Sequence, residues 1–390
     1  MTEKKLPQTL ENISVAKALS RSNKLMNVTH TVLQRAKSAR ELTVPIDDGW
    51  CDRLYAWADK HGIPDLHWEK DGNVNAGIPR RKHELLQLTE LRIIEQEPTE
   101  LPSEIGKLTN LTALEMNVKN IASLPPEIGL LTNLNSLILI NLTMEFLPSE
   151  IGQLSNLKSF HIVHDKLGTF RLQRLTKLPP EIGQLANLTQ LEISLSQLTE
   201  LPPEIGQLAN LTQLELYGDN LIKLPLEIGQ LDNLTKLKIH GHELTKLPSE
   251  IWQLANLTQL ELSLPELTRL PPEIGRLTNL TQLELHGNKL TKLPPEIGQL
   301  ANLTQLELYG GNLIKLPLEI GQLDNLTKLK IHGDELTKLP SEIWQLANLT
   351  QLELSLPELT KLPSEIGQLD NLTKLKIHGD ELTKLPSEIW

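Results

Sequence analysis

The sequence predicts an α/β repeat solenoid, with short parallel strands stacked on one face and helical or 3₁₀ returns on the other. Three observations carry this. Leu-Pro dipeptides recur from Leu101 to Leu385 at intervals of 23 residues, with one interval of 31 between Leu147 and Leu178. Leucines hold fixed positions inside each interval, which marks one small unit copied many times. The 390 residues are also many for one compact core, whereas a solenoid grows without that limit because each unit touches only its neighbours.

The unit from Leu201 to Lys223, LPPEIGQLANLTQLELYGDNLIK, justifies each element in turn. Leu211, Leu214 and Leu216 give L-x-x-L-x-L, and the alternation at Leu214 and Leu216 is that of a strand with one buried face. Leu221 and Leu224 continue the buried set past the strand. Pro202 and Glu204 open a helical turn, where the missing proline N–H is harmless and the dipole favours an acid. Ile205 and Leu208, three apart, point inward from that turn, and Gly206 keeps it short.

On these residues the chain resembles the leucine-rich repeat family over residues 85–390. The match is to the 23-residue class with L-P-x-E-I-G outside and N-L-x-x-L-x-L inside, of bacterial or Ras-associated intracellular type. The resemblance implies a curved horseshoe with the parallel sheet on its concave face. It also implies a non-catalytic scaffold or adaptor, without cofactor, that grips another protein or peptide on that face. The alternative is a bacterial effector or host-interaction protein in which the repeats act as substrate receptor. One departure stands out. Where the family places an asparagine after the strand, this chain has Asp219, His242, Pro265, Gly311 and Asp334, with Asn288 an exception. The usual asparagine ladder is therefore expected to be weak, with Asp, Ser or water substituting.

Three segments are expected: 1–46 basic and helical, 47–86 a helical N-terminal cap, and 87–390 the solenoid of about 13 repeats, uncapped at its C-terminal end. In the cap, Asp47 or Asp48 starts a helix through WCDRLYAWADKHG and Gly62 ends it. Trp50, Tyr55, Trp57 and Trp68 supply the bulky apolar side chains that a one-sided cap requires. Arg80, Arg81 and Lys82 read as a solvated lead into a first strand near Leu91 and Ile93. The chain stops at Trp390, partway through a repeat, which favours a longer gene product over a self-made lid. An uncovered end predicts weak end-to-end self-association.

Charge and composition exclude several classes. The net charge is −11, so nucleic acid is not the expected partner. One cysteine, Cys51, excludes a disulfide framework. No run of 18 apolar residues spans a membrane, and the first residues lack a secretory h-region. These features fit the cytoplasm, with secretion independent of a signal peptide left open. The Asn-Leu-Thr triplets match the glycosylation sequon formally, but the asparagine is expected to cap the turn into the strand.

Candidate binding residues lie where outward strand positions form columns. Lys238 falls between Glu215 and Glu261, and Lys330 between Glu307 and Glu353, so cross-strand neutralisation is expected. His240, His286, His332 and His378 recur every 46 residues, about 10 Å apart at two strand spacings, too far to share one metal. Residues 201–269 and 293–361 differ only at Asp219/Gly311, His242/Asp334 and Arg269/Lys361, which marks an internal duplication. The earlier repeats are irregular instead. Ile138 and Ile140 face outward beside His161 and Val163, and the long interval adds Phe170, Arg171 and Arg174. Apolar side chains beside an arginine-bearing loop suit an interface core. Tyr217 and Tyr309 are further candidates, because tyrosine is enriched in binding hot spots.

Overall fold

Every five-residue strand pairs in parallel with the next strand in the chain, so thirteen strands form one open sheet in sequence order. They are β1 (Glu90–Ile94), β2 (Ala113–Asn117), β3 (Ser136–Ile140), β4 (Ser159–Val163) and β5 (Gln190–Ser194). Then come β6 (Gln213–Tyr217), β7 (Lys236–His240), β8 (Gln259–Ser263) and β9 (Gln282–His286). β10 (Gln305–Tyr309), β11 (Lys328–His332), β12 (Gln351–Ser355) and β13 (Lys374–His378) complete the sheet. The structure is a computed structural model that describes residues 49–66, 76–94, 96, 98–141, 143–164 and 174–387. The expected basic segment 1–46, the capping Asp47 or Asp48, Trp68, Phe170, Arg171 and Trp390 lie outside the described residues.

Each repeat follows the reading of its sequence. Leu211, Leu214, Leu216, Leu221, Ile205 and Leu208 are all at most 1% exposed, so the leucine set and the turn residues form one continuous core between sheet and turns. The turns are 3₁₀, as at Pro203–Gln207, and each described turn carries one glutamate in its first turn. One such residue is Glu204. Register is one-to-one along the sheet, so Leu214 lies opposite Leu191 on one side and Leu237 on the other.

The turn side sets how closely repeats approach. A Cβ added at Gly206 would lie 2.6 Å from the backbone oxygen of Glu227 in the next turn. Proximity of backbone, rather than positive φ, demands glycine there. Trp252 and Trp344 occupy the same repeat position and are only 2% exposed. The turns that follow these indoles pack less closely than other neighbouring turns. The strand spacing is held by hydrogen bonds, so these indoles separate neighbours on the turn side alone.

The side-chain ladder runs at a different place from the family's usual position. Asn233 Nδ2 donates to Ala209 O (2.8 Å), Asn256 to Asp232 O (2.8 Å) and Asn279 to Ala255 O (2.9 Å), each into the preceding repeat. Thr235, Thr258 and Thr281 likewise donate their hydroxyls to the carbonyl of the preceding repeat's threonine at 2.9–3.0 Å. The Asn-Leu-Thr asparagine therefore bonds to the preceding repeat, where the sequence predicted a cap on its own turn. It staples consecutive repeats, satisfying carbonyls that the short strands leave over.

At the N-terminal side, α1 (Trp50–Lys60) buries Leu54, Trp57 and Ala58, and Gly62 follows it with φ of 66°. Trp57 Nε1 donates to Glu100 O (2.9 Å), tying α1 to the first repeat. A short α2 (Lys82–Leu85) leads into β1. Arg80 is not a solvated lead. Its guanidinium donates to Ile63 O (2.7 Å), Ile78 O (2.8 Å) and Asp59 (2.7 Å), because a planar fork of donors suits several clustered acceptors. At the other end, Leu375 and Ile377 of β13 are incompletely buried, whereas Leu352 and Leu354 of β12 are 1% exposed.

Gly206→Ala should cost about 1–3 kcal/mol through overpacking against the next turn. Urea unfolding measures it, and an unchanged midpoint would show that the turns separate freely.

Candidate functional site

Alternation leaves the first, third and fifth residues of every strand facing outward, and one-to-one register lines them into three columns. Eight carboxylates and seven lysines or arginines occupy these columns, so the face is almost neutral although the chain is −11. Much of the acidic excess sits instead on the turns.

The charges in the columns are consumed by one another. Lys238 Nζ meets Glu261 at 2.7 Å and Lys236 Nζ meets Glu215 at 2.6 Å. In the duplicated copy, Lys328 meets Glu307 at 2.6 Å and Lys330 meets Glu353 at 3.4 Å. The expected position of Lys238 between Glu215 and Glu261 is found, but Glu215 is held by Lys236 instead. Tyr217 and Tyr309 donate their hydroxyls to Glu215 (2.9 Å) and Glu307 (2.8 Å) of their own strands. Glu261 also takes His240 Nε2 at 2.8 Å. Burial pushes the Glu261 carboxyl up, but hydrogen bonds from Lys238 and His240 outweigh it, and the group titrates below the usual carboxylate range. Glu215 and Glu307 behave alike through Lys236 and Lys328.

The fifth position forms an aromatic column. His286 stacks on Tyr309 with centroids 4.1 Å apart and rings 7° from parallel, and His332 covers the other face at 4.9 Å. Lys330 Nζ lies 5.2 Å from the Tyr309 centroid. Tyr217 has His240 on one side at 4.7 Å and Ser194 as its register partner on the other. Among the described residues, no group of three or more His, Cys, Asp or Glu is placed to hold a metal.

The irregular repeats differ. Ile138 lies opposite His161, and Ile140 opposite Val163, as the register of β3 and β4 dictates. His161 is held by Ser159 Oγ (2.6 Å) and Glu192 (2.7 Å), which leaves Ile138, Ile140 and Val163 as a half-buried apolar area. Asn141 follows with φ of 61°, a left-handed conformation that asparagine tolerates. Arg174 pairs with Glu145 at 3.1 Å, beyond the end of β3. Next to Glu145, Phe146 is 62% exposed. Phe146 is not among the residues expected from the sequence, although its signal is there: a large aromatic stands where other repeats carry Lys223 or Lys177.

Lowered carboxyl pKa values set the sign of a pH effect. Their folded values lie below the unfolded ones, so the stability they supply is complete above the unfolded value of about 4.3 and is lost as pH falls through the folded value. Melting temperatures from pH 7 to pH 3 should drop more steeply for the wild type than for Glu261→Gln, with the wild type more stable at pH 7. Parallel curves would remove Glu261 from this role.

Comparison with known proteins places these features. The family model described as leucine-rich repeat region matches residues 80–172 and 205–308. No curated protein matches the chain. A solved leucine-rich repeat protein of Leptospira interrogans is 35% identical, with a TM-score of 0.60, covering 75% of this chain and 80% of that one. An internalin of Listeria monocytogenes, 16% identical with a TM-score of 0.53, covers 81% of this chain and 92% of that one. A chain of the Drosophila Toll–Spatzle complex, 19% identical with a TM-score of 0.60, covers 78% of this chain and is itself covered over 46%. Those last two share the fold alone. The 23-residue period, the parallel sheet in chain order and these similarities together make the chain a member of the leucine-rich repeat family.

Proposed function

We propose that this chain is a protein-interaction scaffold whose sheet face grips a protein or peptide partner, with residues 47–86 as its N-terminal cap. One observation carries this reading. From β5 to β12 the carboxylates facing outward are engaged by lysine, histidine or tyrosine on the same face, so little of that charge is left for chemistry. The area of Ile138, Ile140 and Val163 has no such internal use, and apolar side chains inside a polar surround suit the core of an interface. We assign Ile138, Ile140 and Val163 as the anchor, with His161 positioned by Glu192 at its edge. Arg174 flanks this area through its pair with Glu145, Phe170 and Arg171 are assigned with it from the sequence alone, and Tyr217, Tyr309, Lys238 and Lys330 belong to the polar continuation of the face.

The 35% identity with a Leptospira protein supports a bacterial origin, and with it the reading of the repeats as the substrate receptor of a host-interaction protein. No helix among the described residues is long and apolar enough to cross a membrane.

Capture of partners by wild type and by Ile138→Asp with Ile140→Asp tests the anchor. Both positions face outward, so the circular dichroism melt should be nearly unchanged while partner recovery falls at least about tenfold, as for loss of a hot spot. Equal recovery would move the site elsewhere on the face.

A further inference from the structure

The duplicated blocks 201–269 and 293–361 differ at three positions, and at two of those, Asp219/Gly311 and His242/Asp334, the first copy's residues line one pocket. The pocket has a volume of about 200 Å³ and opens at the end of the aromatic column, beside Tyr217, Ser194 and His240. It is the size of one side chain. Asp219 forms its charged wall, with Oδ1 3.2 Å from Nδ1 of His242. The duplicate cannot form the same pocket. Gly311 removes the carboxylate there, and His286 stacks on the face of Tyr309 that corresponds to the Ser194 side of Tyr217. Apart from Arg269/Lys361 the rest of the two copies is shared, so two of their three differences fall at one place.

Its surroundings define the ligand's charge. Burial pushes the Tyr217 phenol above its ordinary range, and Glu215, Glu192 and Glu261 push it further. Glu215, Glu192 and Glu261 are already engaged by Lys236, His161 and Lys238, so the tyrosine face and the Asp219 carboxylate at the pocket wall are what suit a planar cation. A guanidinium stacks on an aromatic face and offers paired N–H donors to a carboxylate, which an ammonium cannot match.

We propose that this pocket takes the side chain of an arginine on the bound partner, stacked on Tyr217 and hydrogen-bonded to Asp219. The proposal deepens the scaffold reading and rests on it: arginine is the residue through which the partner engages the polar half of the face. The aligned Tyr309 station, lacking both features, does not bind it.

The chain has three tyrosines, Tyr55, Tyr217 and Tyr309, so ring-labelled tyrosine gives three resolvable NMR signals with Tyr309 as internal control. N-acetyl-arginine methylamide should shift Tyr217 and leave Tyr309 in place. Asp219→Gly, which reproduces the residue the duplicate already carries, should weaken that response about tenfold, the worth of one charge-assisted hydrogen bond. The triple variant Gly311→Asp, His286→Ser and Asp334→His should transfer the response to Tyr309. Equal shifts at both tyrosines, or an Asp219→Gly titration like that of wild type, would overturn the proposal. So would a Tyr217 shift with methyl glucoside and none with the arginine derivative, which would make this a sugar site. The probe needs no partner, so a silent Tyr217 condemns the pocket alone, and unaffected capture by the Ile138 and Ile140 variant condemns the apolar anchor alone.

Discussion

Everything in this molecule depends on keeping consecutive backbones at hydrogen-bonding distance on the strand side, about 4.8 Å, while turns of the same length return behind them. The 23-residue period satisfies both demands in every repeat but the one spanning the 31-residue interval from Leu147 to Leu178. Backbone pairing holds the strands, and asparagine and threonine side chains such as Asn233 and Thr235 add bonds into the preceding repeat at each strand's start. On the turn side, Gly206 lets the backbone of the next turn come close, and Trp252 and Trp344 keep it away. The approach of neighbouring turns is therefore set locally, by which residue fills one position of the turn.

The same register converts sequence periodicity into surface chemistry. Because residues 23 apart lie side by side, a lysine in one repeat meets a glutamate in the next without any long-range design. Such pairs on an accessible face contribute modestly each, on the order of 0.2–1 kcal/mol. Their larger effect is on recognition. A face whose charges are already matched offers a partner few unpaired groups, and the places that break the match become the places worth contacting. Ile138, Ile140 and Val163 break it by being apolar. Asp219 breaks it by adding a carboxylate at the rim of a face that otherwise balances.

Much of this was legible in the residues. The strand, turn and core positions of each repeat followed from leucine spacing, and the pairing of Lys330 with Glu353 followed from repeat arithmetic. Two readings shifted. Arg80, expected in solvent, is a clamp across Ile63, Ile78 and Asp59, because no local pattern announces that three acceptors from distant positions converge. Glu215 chooses Lys236 over Lys238, because a flexible lysine reaches diagonally as easily as straight across. The apolar area at β3 and β4 was visible as a departure from the repeat, but the capture of Arg174 by Glu145 was not.

By itself the sequence determined the repeat, the parallel order of the strands and the identity of every residue facing outward. Those follow from periodicity, which is a one-dimensional property. Tertiary structure alone decided which outward groups are used up by their neighbours and which remain to bind. That outcome turns on side-chain reach, on ring stacking such as that of His286, Tyr309 and His332, and on the single face of Tyr217 beside Ser194. Distances of a few ångströms between neighbouring strands settle these, and no spacing along the chain encodes them.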